Sequence, residues 1–144
     1  MMDTEWLDML AINHPHGSFI FVFEGVLMYF PEDQVKAVII NLSRYFPNSE
    51  IHFDVVSKWM SRQSHRHDTV KYVKAKFRWG MDNATDAERR VSNIKHQETF
   101  YYMDYEKQRW GIKWRIISMI PAFRNASFIL HYDVVGEWQK VRIR

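Results

Sequence analysis

The sequence contains no cysteine and only five glycines, and each shortage excludes classes of function. Without cysteine the chain has no disulfide framework, no cysteine-bound zinc and no thiol nucleophile. The closest two glycines are eight positions apart, whereas dinucleotide-binding turns and Walker-type phosphate loops need glycines about two to five positions apart. No apolar run approaches the ~18 residues of a membrane span, and the start shows no signal-peptide pattern, so we expect a cytoplasmic protein.

The chain is instead rich in apolar residues and uneven in charge. Apolar residues make up 47% and aromatic residues 16% of its 144 residues, which is enough for a single domain over 1–144 with a packed core. Residues 1–57 carry eight acids and two bases, whereas 58–78 carry seven bases and one acid. A basic block of this kind is typical of polyanion binding, but a solvated helix face opposite the acidic segment is the simpler interpretation. We therefore expect no nucleic-acid partner.

The hydrophobic pattern predicts an α/β fold. The apolar run over 19–23 predicts a strand covered on both faces. Pro31 and the acids after it begin a helix with an apolar face up to Phe46, and 51–56 predicts a second strand parallel to the first. The later expectations are a helix ending at Trp79-Gly80, a short polar helix over 86–90, a third strand over 94–102, a helix over 106–120, a fourth strand over 128–135 and a short fifth strand over 138–143. These elements make a mixed sheet of four to five strands with helices on both faces and the later strands antiparallel at one edge.

Several separated motifs in order along residues 3–135 carry a resemblance to a known family. They are DTEWL at 3–7, FEGVLMYF at 23–30 followed by PEDQV, FPNSEIHFDVVS at 46–57, FRWGMD at 77–82, and FYYMDY at 100–105 followed by Arg109-Trp110-Gly111. On these motifs the chain resembles the leucine carboxyl methyltransferase family and, more narrowly, its polyketide-type O-methyltransferases.

The resemblance implies a class I S-adenosylmethionine-dependent methyltransferase with a Rossmann-like, doubly wound sheet of seven strands. The methyl acceptor would be the carboxylate or hydroxyl of a small molecule. The resemblance begins at the approach to the fourth strand, so the first three strands, the glycine-rich turn and the ribose-binding acid are missing. We therefore expect the C-terminal half of a methyltransferase, which is inactive alone and binds S-adenosylmethionine weakly or not at all.

The candidate cofactor residues lie around the end of the first predicted strand, because open α/β sheets bind ligands beyond the carboxyl ends of their strands. Glu24 lies at that end and can accept hydrogen bonds from an amino or hydroxyl group. The resemblance implies contact with the cofactor; the alternative is an edge carboxylate that caps a neighbouring backbone. Gly25 allows close approach of the backbone to a ligand. Tyr29 either walls the pocket or packs in the core. Asp3 and Trp6 resemble the family's adenine-side segment, which we expect to be disordered near the terminus without its preceding strand.

The candidate acceptor residues follow the later strands. Asp54 ends the second strand and either faces the substrate or orders a loop as an Asx-type cap. Tyr101, Tyr102, Arg109 and Trp110 are candidates for the acceptor pocket, although aromatic residues at this density more often belong to a core. No general base is identified; a carboxylate acceptor needs none, since it is already ionised at neutral pH.

Two further expectations concern metals and assembly. The histidines of His14-Pro15-His16 and His65-Arg66-His67 are interpreted as loop residues, so no metal site is predicted. The alternative function is a non-catalytic assembly module. In the family's sheet the first strand lies beside the fourth, to which 19–23 corresponds. Without that neighbour, 19–23 would be an exposed apolar edge that can pair with another chain. This hypothesis predicts a homodimer or a complex with a separately encoded N-terminal half.

Overall fold

A computed structural model describes residues 4–15, 17–63 and 76–136, which form an α/β fold around one mixed sheet. The strands are β1 (Ile20–Phe23), β2 (Glu50–Val56), β3 (Ile94–Tyr101) and β4 (Ser127–Val134). The α-helices of the described ranges are α1 (Glu5–Asn13), α2 (Glu32–Tyr45), α3 (Lys58–Arg62), α4 (Thr85–Glu88), α5 (Ile112–Ile117) and α6 (Pro121–Arg124). Single 3-10 turns cover Leu27–Tyr29, Tyr102–Asp104 and Lys107–Arg109. Nowhere in these ranges does a helix reach the length and apolar character needed to cross a bilayer.

The sheet has the strand order β1-β2-β4-β3. β1 and β2 are parallel, as predicted from the β-α-β order, while β4 runs antiparallel to both β2 and β3. The later strands thus pair antiparallel as expected, with β4 inside the sheet and β3 at its edge. Because only β4 is reversed, β1, β2 and β3 point the same way and their carboxyl ends meet at one edge of the sheet.

Helix α2 forms where the sequence predicts it and supplies much of the core. Pro31 precedes it, Glu32 and Asp33 occupy its first turn, and acids there interact favourably with the helix dipole. Its buried side chains are spaced at three- and four-residue steps and belong to the same core cluster as the buried residues of β2 and β4. They are Val35, Val38, Ile39 and Leu42. Burial of each such side chain contributes about 1.5–3 kcal/mol.

The sheet has one apolar and one largely polar face. Along β2, Ile51, Phe53 and Val55 are buried on the core face, and Glu50, His52 and Asp54 alternate with them on the other. On β1, Ile20 and Val22 are 65% and 67% exposed. The expectation that 19–23 is covered on both faces is therefore wrong. A short apolar run has no periodicity, so it does not distinguish a strand covered on one face from a strand covered on both.

The expectation of one continuous helix over 106–120 is also wrong, because the structure divides this stretch into a 3-10 turn and a short helix. Glu106 has a left-handed φ of 50°, and a 3-10 turn follows it. Gly111 is then the N-cap of α5, and Pro121 begins α6 instead of ending a helix. Proline is favourable at a first helical position, since its missing N–H would have no partner there.

The remaining predicted elements divide into three groups. The short helix over 86–90 and the strands over 94–102 and 128–135 are confirmed as α4, β3 and β4. Residues 76–80 are not helical, so the helix predicted to end at Trp79-Gly80 is wrong in that stretch; the rest of that helix, with Val70 and Val73, lies outside the described residues. The fifth strand over 138–143 also lies outside them. No helix was predicted for α1, whereas α3 lies at the start of the basic block 58–78 that was interpreted as a helix face.

Gly80, in the FRWGMD motif, lies where the chain crosses the end of β2. The backbone N–H of Met81 donates to the carbonyl oxygen of Val56 at 2.9 Å. A Cβ on Gly80 would lie 2.8 Å from the carbonyl oxygens of both Val56 and Ser57. Because both are backbone atoms at a strand end, no rotamer change can make room.

Replacing Gly80 with alanine is expected to lower the free energy of unfolding by about 1–3 kcal/mol, the usual cost of overpacking. Urea denaturation monitored by tryptophan fluorescence measures the loss. Gly111→Ala is the matched control, since a Cβ added at Gly111 would have no described atom within 4 Å beyond its chain neighbours; its loss should stay below about 1 kcal/mol. Equal losses for the two variants would contradict a steric role for Gly80.

Candidate functional site

The ends of β1 and β2 bring two acids and a glycine together. Glu24 directly follows β1, and Gly25 after it has a left-handed φ of 64°, a conformation that glycine adopts at little cost. The backbone N–H of Gly25 donates to Asp54 Oδ1 at 2.8 Å. This hydrogen bond ties the turn after β1 to the end of β2. It places both carboxylates at the carboxyl edge of the sheet, where open α/β sheets bind their ligands.

The two acids and Tyr102 lie within electrostatic reach of one another. Burial raises the pKa of Asp54, and the negative charge of Glu24 raises it further, against the opposing hydrogen bond from Gly25. Burial also raises the pKa of Tyr102, and the charges of Asp54 and Glu24 add to the shift. At neutral pH Tyr102 is therefore a phenol that can donate a hydrogen bond. One polar group from the end of each of β1, β2 and β3 meets at this edge.

Electrostatics favour a cationic or donor-rich ligand at this edge. Among the described residues no lysine or arginine forms an ion pair with Glu24 or Asp54. Two carboxylates without a basic partner produce a negative potential, and a ligand with an ammonium, sulfonium or hydroxyl group can satisfy their oxygens.

An open, aromatic-lined cavity of about 700 Å³ lies beside Tyr102. Its walls are mutually supported: the rings of Phe100 and Tyr105 have centroids 5.4 Å apart, and the Trp110 indole N–H donates to the carbonyl oxygen of Tyr105 at 3.1 Å. Trp114 and Arg109 also contribute to the wall. Cavities of this size with aromatic walls and a few polar groups are typical of small-molecule sites.

The predicted acceptor residues occupy three positions. Tyr102, Arg109 and Trp110 line the cavity, and Asp54 lies at the neighbouring strand end. Tyr101 lies on the other face of β3, where its ring packs against Phe128 with centroids 5.5 Å apart. The cavity lining does not include Tyr101.

The predicted cofactor residues also occupy different places. Tyr29 packs against Phe77 with ring centroids 5.4 Å apart, in a small apolar cluster with Met28 and Val56; this is the core-packing alternative for Tyr29. Trp6 lies on α1 and is partly buried against the main core. The disorder expected for that segment is therefore wrong at Trp6, because α1 docks its apolar side on the core. Asp3 lies outside the described residues.

A second polar cluster was not predicted from the sequence. Glu50 and His52 of β2 and His131 of β4 meet on the polar face of the sheet. The signal was present as Glu-x-His in an alternating strand, which places both side chains on one face. The histidine-rich motifs at 14–16 and 65–67 are more conspicuous in the sequence; of these, only His14 and Pro15 fall within the described residues, as do 58–63 and 76–78 of the basic block.

Comparison with known proteins gives no family for this chain. No protein-family model matches it, and no curated protein does.

The raised pKa of Asp54 predicts that this site reduces the stability of the fold at neutral pH. A carboxyl whose folded-state pKa lies above its ordinary value of 3.8 binds its proton more tightly in the folded chain, so stability falls as the pH rises from about 4 through the folded-state pKa. Asp54→Asn keeps an acceptor for the Gly25 N–H and removes the charge. The variant should therefore melt a few degrees higher than the parent at pH 7, and the difference should narrow toward pH 4.

Thermal melts from pH 4 to 8 measure this difference. Asp82→Asn is the matched control, since exposed Asp82 also accepts a backbone N–H, from Lys58 at 2.9 Å. A lower melting temperature for Asp54→Asn at pH 7, or a difference that does not change with pH, would contradict the electrostatic account of the site.

Proposed function

We propose that this chain is the C-terminal half of an S-adenosylmethionine-dependent O-methyltransferase acting on a carboxylate or hydroxyl of a small molecule. The observation that carries the proposal is the meeting of Glu24, Gly25 and Asp54 at the carboxyl ends of two parallel strands, beside the cavity lined by Tyr102. The motifs that resemble the polyketide-type O-methyltransferases contribute each of these residues. A cytoplasmic location remains a prediction from the sequence.

The acids at the strand ends fit the polar part of such a cofactor. S-adenosylmethionine would supply an activated methyl group on a sulfonium, and the protein's part is to bind and align the reacting groups. Glu24 offers carboxylate oxygens to an ammonium or ribose hydroxyl. The left-handed turn at Gly25 leaves open space, because no described residue beyond its chain neighbours comes within 4 Å of its Cβ position.

The aromatic cavity fits the acceptor. The faces of Phe100, Tyr105 and Trp110 offer apolar contact to a ring or chain. Arg109 is exposed, and its guanidinium lies 3.8 Å from the Glu106 carboxylate. This weak ion pair leaves donors of Arg109 free to bind an acceptor carboxylate.

The outer edge of β1 is where the missing half would add. Doubly wound sheets of the Rossmann type have the order 3-2-1-4-5-6, in which the first strand lies beside the fourth. The parallel pair β1–β2, with α2 between them in sequence, corresponds to strands four and five of that order. The chain alone thus lacks the strands that hold most of the cofactor, which is the physical reason to expect no activity from it alone.

Equilibrium titration with S-adenosylhomocysteine tests the proposal. The chain alone should show no micromolar binding. Fusion to strands one to three of a polyketide-type O-methyltransferase should restore binding, and Glu24→Gln in the fusion should weaken it about 10- to 100-fold, the usual effect of removing a charged hydrogen bond. Asp33→Asn, an exposed acid on α2, is the control and should leave binding unchanged. Micromolar binding by the chain alone would refute the half-enzyme interpretation, and no binding by a folded fusion would refute the methyltransferase.

The exposed edge of β1 favours a second candidate, a module that pairs with another chain. Among the described residues β1 has a strand neighbour only on its β2 side. Ile20 and Val22 are also the more exposed residues of the strand. An unpaired, apolar edge is a template for a further strand, supplied by a second copy or by a separately encoded N-terminal half.

Val22→Lys should weaken such self-association at least tenfold, because a charged side chain disfavours edge-to-edge pairing. Light scattering over a concentration series measures the monomer–dimer equilibrium. Met9→Lys is the control, as Met9 is 55% exposed on α1. A chain that stays monomeric at several hundred micromolar, or equal effects from the two lysines, would count against pairing through β1.

A further inference from the structure

A histidine–carboxylate cluster lies on the polar face of β2 and β4, upstream of the carboxyl edge. Glu50 and His52 are two residues apart on β2 and so share a face, and His131 is the partner of His52 in the β2–β4 register. Glu50 Oε2 lies 2.9 Å from His52 Nε2 and 3.2 Å from His131 Nε2. Asp133, the register partner of Glu50, has its Oδ1 3.4 Å from His131 Nε2. Two adjacent strands thus bring ligand atoms of Glu50, His52 and His131 together, with the Asp133 carboxylate beside His131.

We propose that Glu50, His52 and His131 bind a divalent transition-metal ion such as Zn²⁺, with Asp133 as a fourth ligand. Imidazole nitrogens and carboxylate oxygens are a ligand set that suits this class of ion. One ligand atom from each of the first three residues lies within 4.8 Å of the others. Ligand atoms about 2.1 Å from a tetrahedral ion are roughly 3.4 Å apart, so the separations of 2.9 and 3.2 Å between Glu50 and the two imidazole nitrogens need only a small expansion.

The unsatisfied nitrogen of His131 is an independent indication of a ligand. His131 Nε2 is buried and has no hydrogen-bond partner among the described residues. It is close to Glu50 Oε2 in distance, but the geometry is not that of a hydrogen bond. A buried imidazole nitrogen without a partner is costly, and an ion between it and Glu50 would satisfy both groups.

The two imidazole rings mark the rearrangement that binding requires. They are stacked, with centroids 4.1 Å apart and planes 14° from parallel. An ion lies in the plane of each ring that ligates it, so at least one ring must tilt out of the stack. The χ2 torsion of histidine is broad, and the side chains of His52 and His131 are 28% and 25% exposed. The torsional freedom and the partial exposure of the two side chains both allow that movement.

The surrounding charges favour a cation. On this face β3 adds Glu98 opposite His131 and Lys95 opposite Asp133. Together with Glu50 and Asp133, the formal charge of the patch is therefore negative before any ion binds. The side chains of Glu50 and Asp133 are 42% and 44% exposed, which gives an ion access from solvent. The metal site is independent of the proposed methyl transfer, because none of its ligands belongs to the carboxyl edge.

Calorimetric titration of the chelator-treated chain with Zn²⁺ tests the site, together with the visible spectrum of the Co²⁺ form. We expect one ion per chain with micromolar or tighter affinity, and cobalt absorption typical of low coordination number. His131→Gln and Glu50→Gln should each weaken binding at least tenfold. Glu50→Gln also serves as the milder variant, since its exposed amide preserves the side-chain shape if His131→Gln fails to fold.

The other histidine motifs provide the controls. His14→Gln and the double change His65→Gln with His67→Gln should leave the affinity and the stoichiometry unchanged. Binding that is lost in these controls but kept in Glu50→Gln would overturn the proposal. So would the absence of Zn²⁺ binding below about 100 μM in the parent chain, which would leave Glu50 and His52 as a hydrogen-bonded pair beside a His131 that binds no ion.

Discussion

The parallel pairing of β1 with β2 is the constraint on which the carboxyl edge depends. The register places Phe23 opposite Phe53, so Glu24, directly after β1, lies beside Asp54, which is two residues before the end of β2. The Gly25 N–H then closes the gap to Asp54. Phe23 and Phe53 both contact the core that α2 covers. A site made of polar groups is thus positioned by the packing of the apolar residue directly before each acid, and its two carboxylates lie close together because the core requires their strands to do so.

The strand–helix–strand unit could be predicted because its signals are local. Pro31, the two acids after it and the apolar steps of α2 each act within a few residues of one another. The broken helix over 106–120 was harder, since its interruption depends on the left-handed backbone at Glu106, which a non-glycine residue adopts only when its surroundings favour it. Helix α1 has little amphipathic pattern and forms by docking Leu7 on the core, a tertiary effect that the local sequence does not encode.

The cluster on the polar face could not be predicted from the sequence, for a different reason. Alternation is plain in β2, where Glu50, His52 and Asp54 interleave with buried residues, and it recurs in β4. Each strand alone predicts a half-buried strand with a polar side. That His131 lies opposite His52, however, follows from the insertion of β4 beside β2 in reversed direction. Sequence patterns give the face of each residue, but only the topology brings residues from distant segments into one cluster.

The polar face of the sheet has an apolar part on β1 and a charged part on β2 and β4, and the two parts would place different demands on any partner that covered them. Ile20 and Val22 gain from burial, since exposed apolar area is stabilised by removal from water. Glu50 and Asp133 beside them lose hydration when buried, at a large cost unless a base or an ion accompanies them. A helix lying across the whole face would have to meet both demands. A strand added at the outer edge of β1 covers that edge without approaching β4. Addition of a strand at this edge is therefore physically simpler than closure over the face, and it would leave the histidine cluster accessible to an ion.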